Sequence, residues 1–514
     1  MIDVTRPNVL FLLSDEHSYR FFSHLDPAGE GEPCHTPAFD RLAAQSCVMH
    51  SAYCQVPLCT PSRICLLTGQ PPIGSGGWNN GAMMREGVAT IPQAFAEAGY
   101  ATCLVGKMHL GGDRQFVGFE HRPYGDLTGA TGHQWEPLER RGGREVRDRT
   151  RDASVTEVPE SAAQEHCVAA ESLAWLREQR HARADQPWLV CASFSRPHFP
   201  LTAPRRFIDR YPPDQTPPPK VGRTGDTADH PMTVGMARGF QTEAIQPDEA
   251  AKGRAGYFAC VDYLDQIVGD MLALLERDGL LENTIIVYAS DHGELAGEHG
   301  MWWKNSWHEA AARVPLMVSL PEHRRGDLPA ARLHTPVSLA DLFPTLGGLC
   351  GVAVPDDLSG VDLAGAIRAN AEPTDRGPVV FDNPSPRWGE GSEHRVVRDG
   401  KWKYVRFRGE QMPDLLFDLE ADPLEQRNLA DDPAHAEAAA RLRQWIDAGY
   451  DFDQAQRQHE ADQQATRARR LASEVDGNNL YLMPSGKLVD ADAPLYHPRV
   501  ITDQPARFFS DYPG

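Results

Sequence analysis

The sequence has no apolar run that approaches the ~18–20 residues of a membrane span, so no transmembrane helix is expected. Its ten cysteines follow no framework spacing and include no C-x-x-C pair, which argues against a disulfide scaffold and a structural zinc site. Basic residues are in deficit, with 51 Lys and Arg against 72 Asp and Glu, for a net charge of −21. A nucleic-acid surface needs clustered Lys and Arg and is not expected here, although a small anion senses local charge rather than the total. Met1 to Pro7 lacks a charged stretch leading into a long apolar one and a small-residue cleavage site. The expectation is a cytoplasmic protein with no membrane association. No internal repeat or low-complexity tract is present.

What is present is core. The chain has 514 residues, 41% of them hydrophobic, enough for a large interior and more than one domain. Asn8–Ser14, Ala101–Gly106, Trp188–Phe194 and Asn283–Ser290 are continuous apolar runs, the pattern of parallel strands covered on both faces. Helical patterns alternate with them: from Pro37 through Ala43, from Thr90 to Gly99, from Glu160 to Arg180 and from Gly256 to Asp278. The fold class is therefore α/β, a large mostly parallel sheet flanked by helices. Residues 111–157 are expected to be loops, and the proline-rich stretch 211–247 an irregular surface excursion or lid. Beyond about residue 385 the texture changes. Val396–Phe407 predicts a hairpin with an Asp399-Gly400 turn, Leu415–Leu419 a further strand, and Ala434–Glu474 a long polar helical region. The expected division is a catalytic α/β domain over 1–385 and, over 386–514, a smaller antiparallel α+β subdomain with a helical extension and tail.

Ligands of parallel sheets gather beyond the carboxyl ends of the strands. Here those ends deliver Asp15-Glu16, Lys107 with His109, His198, and Asp291-His292. Three carboxylates and one imidazole suit a hard divalent cation, calcium or magnesium, with manganese or zinc as further fits. The stretch Val56–Gly69 adds a cysteine at a helix start, Pro61 in the first turn and Gly69 as the terminator. Cys59 would then sit over the positive end of the helix dipole with Arg63 on the same face. A lone cysteine there is ordinarily just a buried thiol. With Lys107, His109, His198 and Lys304, the last set among aromatics in Met301-Trp302-Trp303-Lys304, the assembly matches hydrolysis of a tetrahedral oxyanion ester.

These residues resemble the type I sulfatase family of the alkaline phosphatase superfamily. The resemblance rests on Cys59-Thr60-Pro61-Ser62-Arg63 with Leu67-Thr68-Gly69, supported by Gly106–Leu110, Asp291–Glu294, Gly300–Lys304 with Glu309, and Ala312–Leu316. Gly400–Tyr404 and Leu416–Leu419 with Asp422-Pro423 resemble the family's C-terminal subdomain. Within the family the chain is most similar to the cytosolic branch that includes choline sulfatase and phosphonate monoester hydrolase. The resemblance implies an alkaline phosphatase-like fold and a sulfate ester hydrolase. It implies conversion of Cys59 to formylglycine (3-oxoalanine) by a maturation enzyme, and one divalent metal ion, Ca2+ foremost, with Mn2+ or Mg2+ as alternatives. Asp15, Asp291, His292 and the modified Cys59 would be its ligands, joined by Glu16, where relatives carry aspartate or glutamine. Arg63 and Lys107 would hold the formylglycine, His109 would be the base that releases sulfate, and His198 and Lys304 would contact the sulfate. Asn80, with Asn79 as rival, matches a polar substrate contact.

The alternatives are a phosphonate monoester or phosphodiester hydrolase on the same site, and a non-catalytic binder of sulfated ligands if Cys59 stays a thiol. The Lys107 and His109 pair favours the sulfatase. For the leaving group, Trp135 could face a cation or an apolar group, with Asp382, Glu390 or Glu393 as matching acids, so choline sulfate is one option beside alkyl, aryl and sugar sulfates. The aromatic tail from Tyr481 to Tyr512 suggests packing on a neighbouring subunit of a homo-oligomer.

Overall fold

The computed structural model describes residues 6–29, 31–111, 115–125, 146–374, 376–475, 478–482 and 488–490. Trp135 and the tail residues 491–514 lie outside that set. The main sheet has eight strands: β1 (Asn8–Asp15), β2 (Cys47–Met49), β3 (Ala101–Gly106), β4 (His121–Tyr124), β5 (Trp188–Pro197), β6 (Thr284–Ser290), β7 (Leu316–Ser319) and β8 (Ala331–Leu333). Their spatial order is β8-β2-β7-β6-β1-β5-β3-β4. The central strands run parallel, and β7 alone is antiparallel to both its neighbours.

The apolar runs are buried on both faces for a plain geometric reason. Alternate residues of a strand point to opposite sides. In β1, Leu10 and Leu12 enter one core cluster while Val9, Phe11 and Leu13 enter the other. The first core is closed by the 31-residue helix Pro247–Arg277, which starts at a capping box of Gln246 and Glu249 and buries Tyr257, Phe258, Val261 and Leu264. Along β1 the pairing runs Asn8↔Thr284 to Ser14↔Ser290 on one side and Val9↔Leu189 to Leu13↔Ser193 on the other. That register sets Asp15 and Asp291 side by side at one edge of the sheet. Gly106 ends β3 at φ +100, with Ser193 O so close that any Cβ there would collide with it. Glycine therefore lets the strand turn and hand over Lys107 at the same edge.

Several expectations change on contact with the structure. Residues 111–157, where described, are not all loop: β4, the turn of helix Asp148–Arg151 and the short strand Ser154–Val155 lie there. The 211–247 stretch is an irregular surface segment, as expected, only as far as Asp229. It contains helix Pro231–Gly239 and buries Val221, Met232, Met236 and Phe240. His230 Nε2 lies 3.0 Å from Pro413 O, and Asp226 N donates to Gln426 O, which pins the segment to the C-terminal region. Its prolines end and bend chain segments without preventing them from packing.

A four-stranded antiparallel sheet follows: β9 (Val379–Asn383), β10 (His394–Asp399), β11 (Trp402–Phe407) and β12 (Leu415–Asp418). Its first strand precedes residue 386. Asp399 pairs with Trp402, so the two-residue turn is Gly400-Lys401, one position later than expected. The left-handed first position falls to Gly400 at φ 55. Two helices, Ala436–Gly449 and Phe452–Ser473, replace the single expected helical region. No helix of the described residues is long and apolar enough to cross a membrane.

A buried ionic knot fastens this sheet to the helix Glu309–Ala312 and to Tyr53 of the larger part of the chain. Lys403 Nζ on β11 donates to Glu309 at 2.9 Å and Glu425 at 2.7 Å. Glu309 also accepts from Tyr53 OH, which accepts from Arg398 Nε. Burial opposes ionisation of Glu309, but Lys403, Arg313 and Arg398 outweigh it and hold its carboxyl down to about 2. Removing the lysine leaves Glu425 without its cation and Glu309 with only the more distant Arg313 at 3.6 Å and Arg398. Lys403→Met is expected to lower unfolding free energy by about 3–5 kcal/mol. Urea denaturation measures this, and a change under about 0.5 kcal/mol would show that the knot does not hold these parts together.

Candidate active site

Helix Cys59–Thr68 begins with Leu58 in extended conformation and ends at Gly69 in the left-handed region. Leu58 offers no side-chain cap. Instead Asn80 Oδ1 accepts from Thr60 N at 3.1 Å, while Thr60 Oγ1 donates to His109 O at 2.6 Å. Pro61 occupies the first turn, where no N–H is needed. Every residue of the helix is buried, so it is an internal post at the edge of the sheet.

Arg63 ties that post to the strand ends. Its Nη2 donates to Asp15 Oδ2 at 2.9 Å and its Nε to Asp291 Oδ2 at 2.7 Å. Its Nη1 donates to Lys107 O and Ser193 Oγ. Ser62 Oγ adds a short hydrogen bond to Asp291 O. Lys107 Nζ lies 2.9 Å from Asp15 Oδ2. Cys59 Sγ faces His292 Nε2 at 3.1 Å and Asp15 Oδ1 at 3.7 Å. Asp15, Cys59, Asp291 and His292 each point one ligand atom inward, all four within 4.8 Å of one another, and this cluster could hold a metal ion.

The electrostatics support that use. Burial opposes ionisation of Asp15, yet Lys107, His198 and Arg63 hold its carboxyl well below the usual range. Burial and Asp15 push the Cys59 thiol up, but Lys304, His292 and Lys107 pull it well below its ordinary value. Burial lowers His292, yet Asp291 and Cys59 raise it to about 9. In effect the imidazole holds a proton where the surrounding anionic groups call for a cation. His292 Nδ1 faces Gly293 O at 2.9 Å, which turns Nε2 toward the cluster.

Glu16 stands apart from these four. Its backbone is left-handed at φ 67, and Lys304 Nζ donates to its Oε2 at 2.8 Å. His198 Nε2 is 3.3 Å from the same oxygen and 3.9 Å from Asp15 Oδ1, so Glu16 forms a second grouping with Asp15 and His198. Burial, opposed by Lys304 and reinforced by Glu294, pushes its carboxyl well above the ordinary range. Burial, Lys304 and Lys107 lower His198 to about 3, so it stands neutral between two cations. His109, also left-handed at φ 53, is placed at the helix start by its carbonyl, with Nδ1 shielded and unbonded. Of the two asparagines, Asn80 turns to Thr60, whereas Asn79 Nδ2 lies 3.2 Å from His459 Nε2 on the last long helix.

Three site neighbours were not singled out as site residues by the sequence, although Glu294 belongs to the Asp291–Glu294 motif that supported the resemblance. Ser193 lies inside an apolar strand. Glu294 Oε1 accepts from Ala296 N and Trp303 N, which shapes the loop that carries Lys304. Arg149 comes from a stretch expected to be loop and lies over the Phe199 ring at 3.6 Å. Only the strand-end spacing of Glu294 after Asp291 could have drawn attention.

Comparison with known proteins adds the following. The family model described as "Sulfatase" matches residues 7–352, and "N-sulphoglucosamine sulphohydrolase, C-terminal" matches 297–450. A choline-sulfatase of Rhizobium meliloti is 33% identical over 444 residues, covering 83% of each chain. An arylsulfatase of Clostridium perfringens is 27% identical over 466 residues, covering 85% of this chain and 93% of its own. Among solved structures, the phosphonate monoester hydrolase of Agrobacterium radiobacter superposes with a TM-score of 0.69 at 23% identity, over 94% of this chain and 99% of its own.

A ligand that binds only the folded cluster must stabilise the fold, by about 2.7 kcal/mol at a hundredfold excess over Kd. Added Ca2+, Mg2+ or Mn2+ is expected to raise the melting temperature, and EDTA to reverse the rise. Asp291→Asn should abolish the shift. An equal shift in that variant would place the cation elsewhere.

Proposed function

Because the chain belongs to the sulfatase family and is a sulfuric ester hydrolase, we propose that it cleaves its sulfate ester with a formylglycine hydrate derived from Cys59 and releases inorganic sulfate. The observation that carries the reading is the setting of Cys59. It lies at a buried helix start against His292 and Asp15, with Lys107, Lys304 and His198 around it. In the modified state, residue 59 presents an aldehyde hydrate, one hydroxyl to attack sulfur and the other to expel sulfate by rebuilding the C=O bond. A divalent cation, Ca2+ foremost, held by Asp15, Asp291, His292 and residue 59, would neutralise charge at the attacking oxygen and the sulfate.

The remaining work falls to side chains. Lys107 and Lys304 offer ammonium groups to the sulfate oxygens, where the negative charge of the transition state collects. Arg63 pairs with both Asp15 and Asp291 and holds them in place beside the nucleophile. His198 would take up a proton beside the bound sulfate ester, a monoanion, and pass it to the leaving oxygen as the S–O bond breaks. His109 takes the proton of the second hydroxyl when sulfate departs. Asn80 offers an amide to substrate beside Thr60. Glu16 supports Lys304 and stands as an outer member of the metal group.

The test has two parts. The Cys59 peptide, from protein co-expressed with a formylglycine-generating enzyme, is expected to be lighter than its thiol form, because sulfur is replaced by oxygen and hydrogen is lost. A peptide found wholly as thiol would leave only binding of sulfated ligands. The mature enzyme is expected to turn over p-nitrophenyl sulfate faster than phenyl p-nitrophenyl phosphonate, and the reverse order would overturn the sulfatase reading. Lys304→Ala should cut kcat/KM for the sulfate by about 10²–10³.

A further inference from the structure

Among the described residues Arg149 makes no salt bridge, although the carboxylates of Glu16 and Glu294 act on it from a distance. Its neighbours Arg147 and Arg151 both pair with Asp148. Arg149 turns inward instead, with its Cζ 3.6 Å from the Phe199 ring centroid and 5.1 Å from that of Trp303. Its Nε is shielded from solvent and has no hydrogen-bond partner. Phe199 belongs to the site: its ring lies 4.0 Å from that of His198, and Lys304 Nζ is 5.6 Å from its centroid. The guanidinium therefore stands on an aromatic platform whose edges carry two groups that face the sulfate. Burial lowers its pKa to about 10, with Arg387 lowering it further against Glu16 and Glu294, so it remains charged at neutral pH.

The surroundings reinforce the sign. Two of the three carboxylates that could have matched a cationic leaving group have partners of their own, Asp382 with Arg395 at 3.1 Å and Glu393 with Arg408 at 3.2 Å, while the third, Glu390, is exposed to solvent. Arg387, from the same loop as Glu393, is a second cation near Arg149. A half-buried guanidinium whose Nε is shielded and unbonded, and whose planar fork of N–H groups has no partner among the described residues, matches a carboxylate or a sulfate and repels an ammonium.

We propose that Arg149 is a specificity-determining residue that binds an anionic group, a carboxylate or a second sulfate, on the leaving-group side of the ester. The proposal rests on the sulfatase reading and narrows it: the preferred substrates are anionic sulfate esters, rather than the cationic ester that likeness to a choline-sulfatase would suggest. Aromatic stacking orients the guanidinium in advance, so a substrate anion meets a fixed fork. The incoming anion satisfies the orphaned N–H group and replaces the solvent that a neutral leaving group would leave beside it.

The experiment compares kcat/KM of the mature enzyme for 3- and 4-carboxyphenyl sulfate, their methyl esters, and choline sulfate. The carboxylates and their esters differ chiefly in charge at one position. The expected result is a preference for at least one carboxylate over its ester and over choline sulfate. In Arg149→Gln that carboxylate-to-ester ratio should fall about ten- to a hundredfold, the size of one lost charge-assisted hydrogen bond. Arg149→Lys should recover part of it, and melting curves check that each variant folds. An unchanged ratio in Arg149→Gln, or a wild-type preference for the methyl esters or choline sulfate, would overturn the proposal. Failure to cleave any of the five esters by enzyme whose Cys59 is converted would instead count against the sulfatase reading itself.

Discussion

The structure turns on Arg63 and the two carboxylates it joins. Asp15 and Asp291 stand at the ends of adjacent parallel strands, fully buried, where two negative charges would repel each other and lose hydration. One guanidinium reaches both, at 2.9 and 2.7 Å, from a helix whose Ile64, Leu66 and Leu67 pack into the second core. Nη1 then fixes the carbonyl of Lys107, so a third strand end is held by the same side chain. The order of causation runs from strand register to paired acids, from paired acids to Arg63, and from Arg63 to the position of Cys59 one turn earlier on its helix.

The C-terminal sheet takes part in the same construction, although it adds no residue to the cluster. Lys304 lies on an irregular segment that a regular element could not hold, with left-handed residues at Trp303 and Asn305. Asn305 N donates to Pro57 O, just before the helix of Cys59, while its carbonyl accepts from Asn383 Nδ2 and Trp388 Nε1 beyond it. Five residues on from Lys304, Glu309 is gripped by Lys403. Lys304 is thus pinned between the helix of Cys59 and the smaller sheet. Loss of that sheet would be felt as a misplaced ammonium rather than a missing domain.

Much of this was legible in the sequence because it rests on short-range rules. Strands buried on both faces must read as unbroken apolar runs, so β1, β3, β5 and β6 could be located, and the acids, lysine and histidines that follow them could be assigned to one edge. Pro61 and Gly69 mark the bounds of the helix between them. Residues whose role depends on three-dimensional accident were hidden. Arg149 is chemically ordinary until Phe199 and Trp303 arrive beneath it. The 211–247 stretch reads as polar and proline-rich, and only the partner surface around Trp388 and Pro413 makes its Met232, Met236 and Phe240 interior. The position of Glu16 outside the Asp15, Cys59, Asp291 and His292 cluster also escapes spacing arguments, because its direction is set by a left-handed backbone and the reach of Lys304.

The burial of Cys59, 1% exposed, has a consequence in time. Another enzyme must grip the peptide on either side of its target, and every residue of the helix Cys59–Thr68 is buried, so modification of this thiol by a second protein must come before the chain closes. The strands that close it are made late: Trp188–Pro197, and later still Thr284–Ser290 with Asp291. At a synthesis rate of about 5–20 residues per second, that interval is on the order of ten to fifty seconds for each new chain. The spacing of strands along the sequence acts as a delay line. A chain that folded from its N-terminus without waiting for distant partners would seal the cysteine before it could be reached.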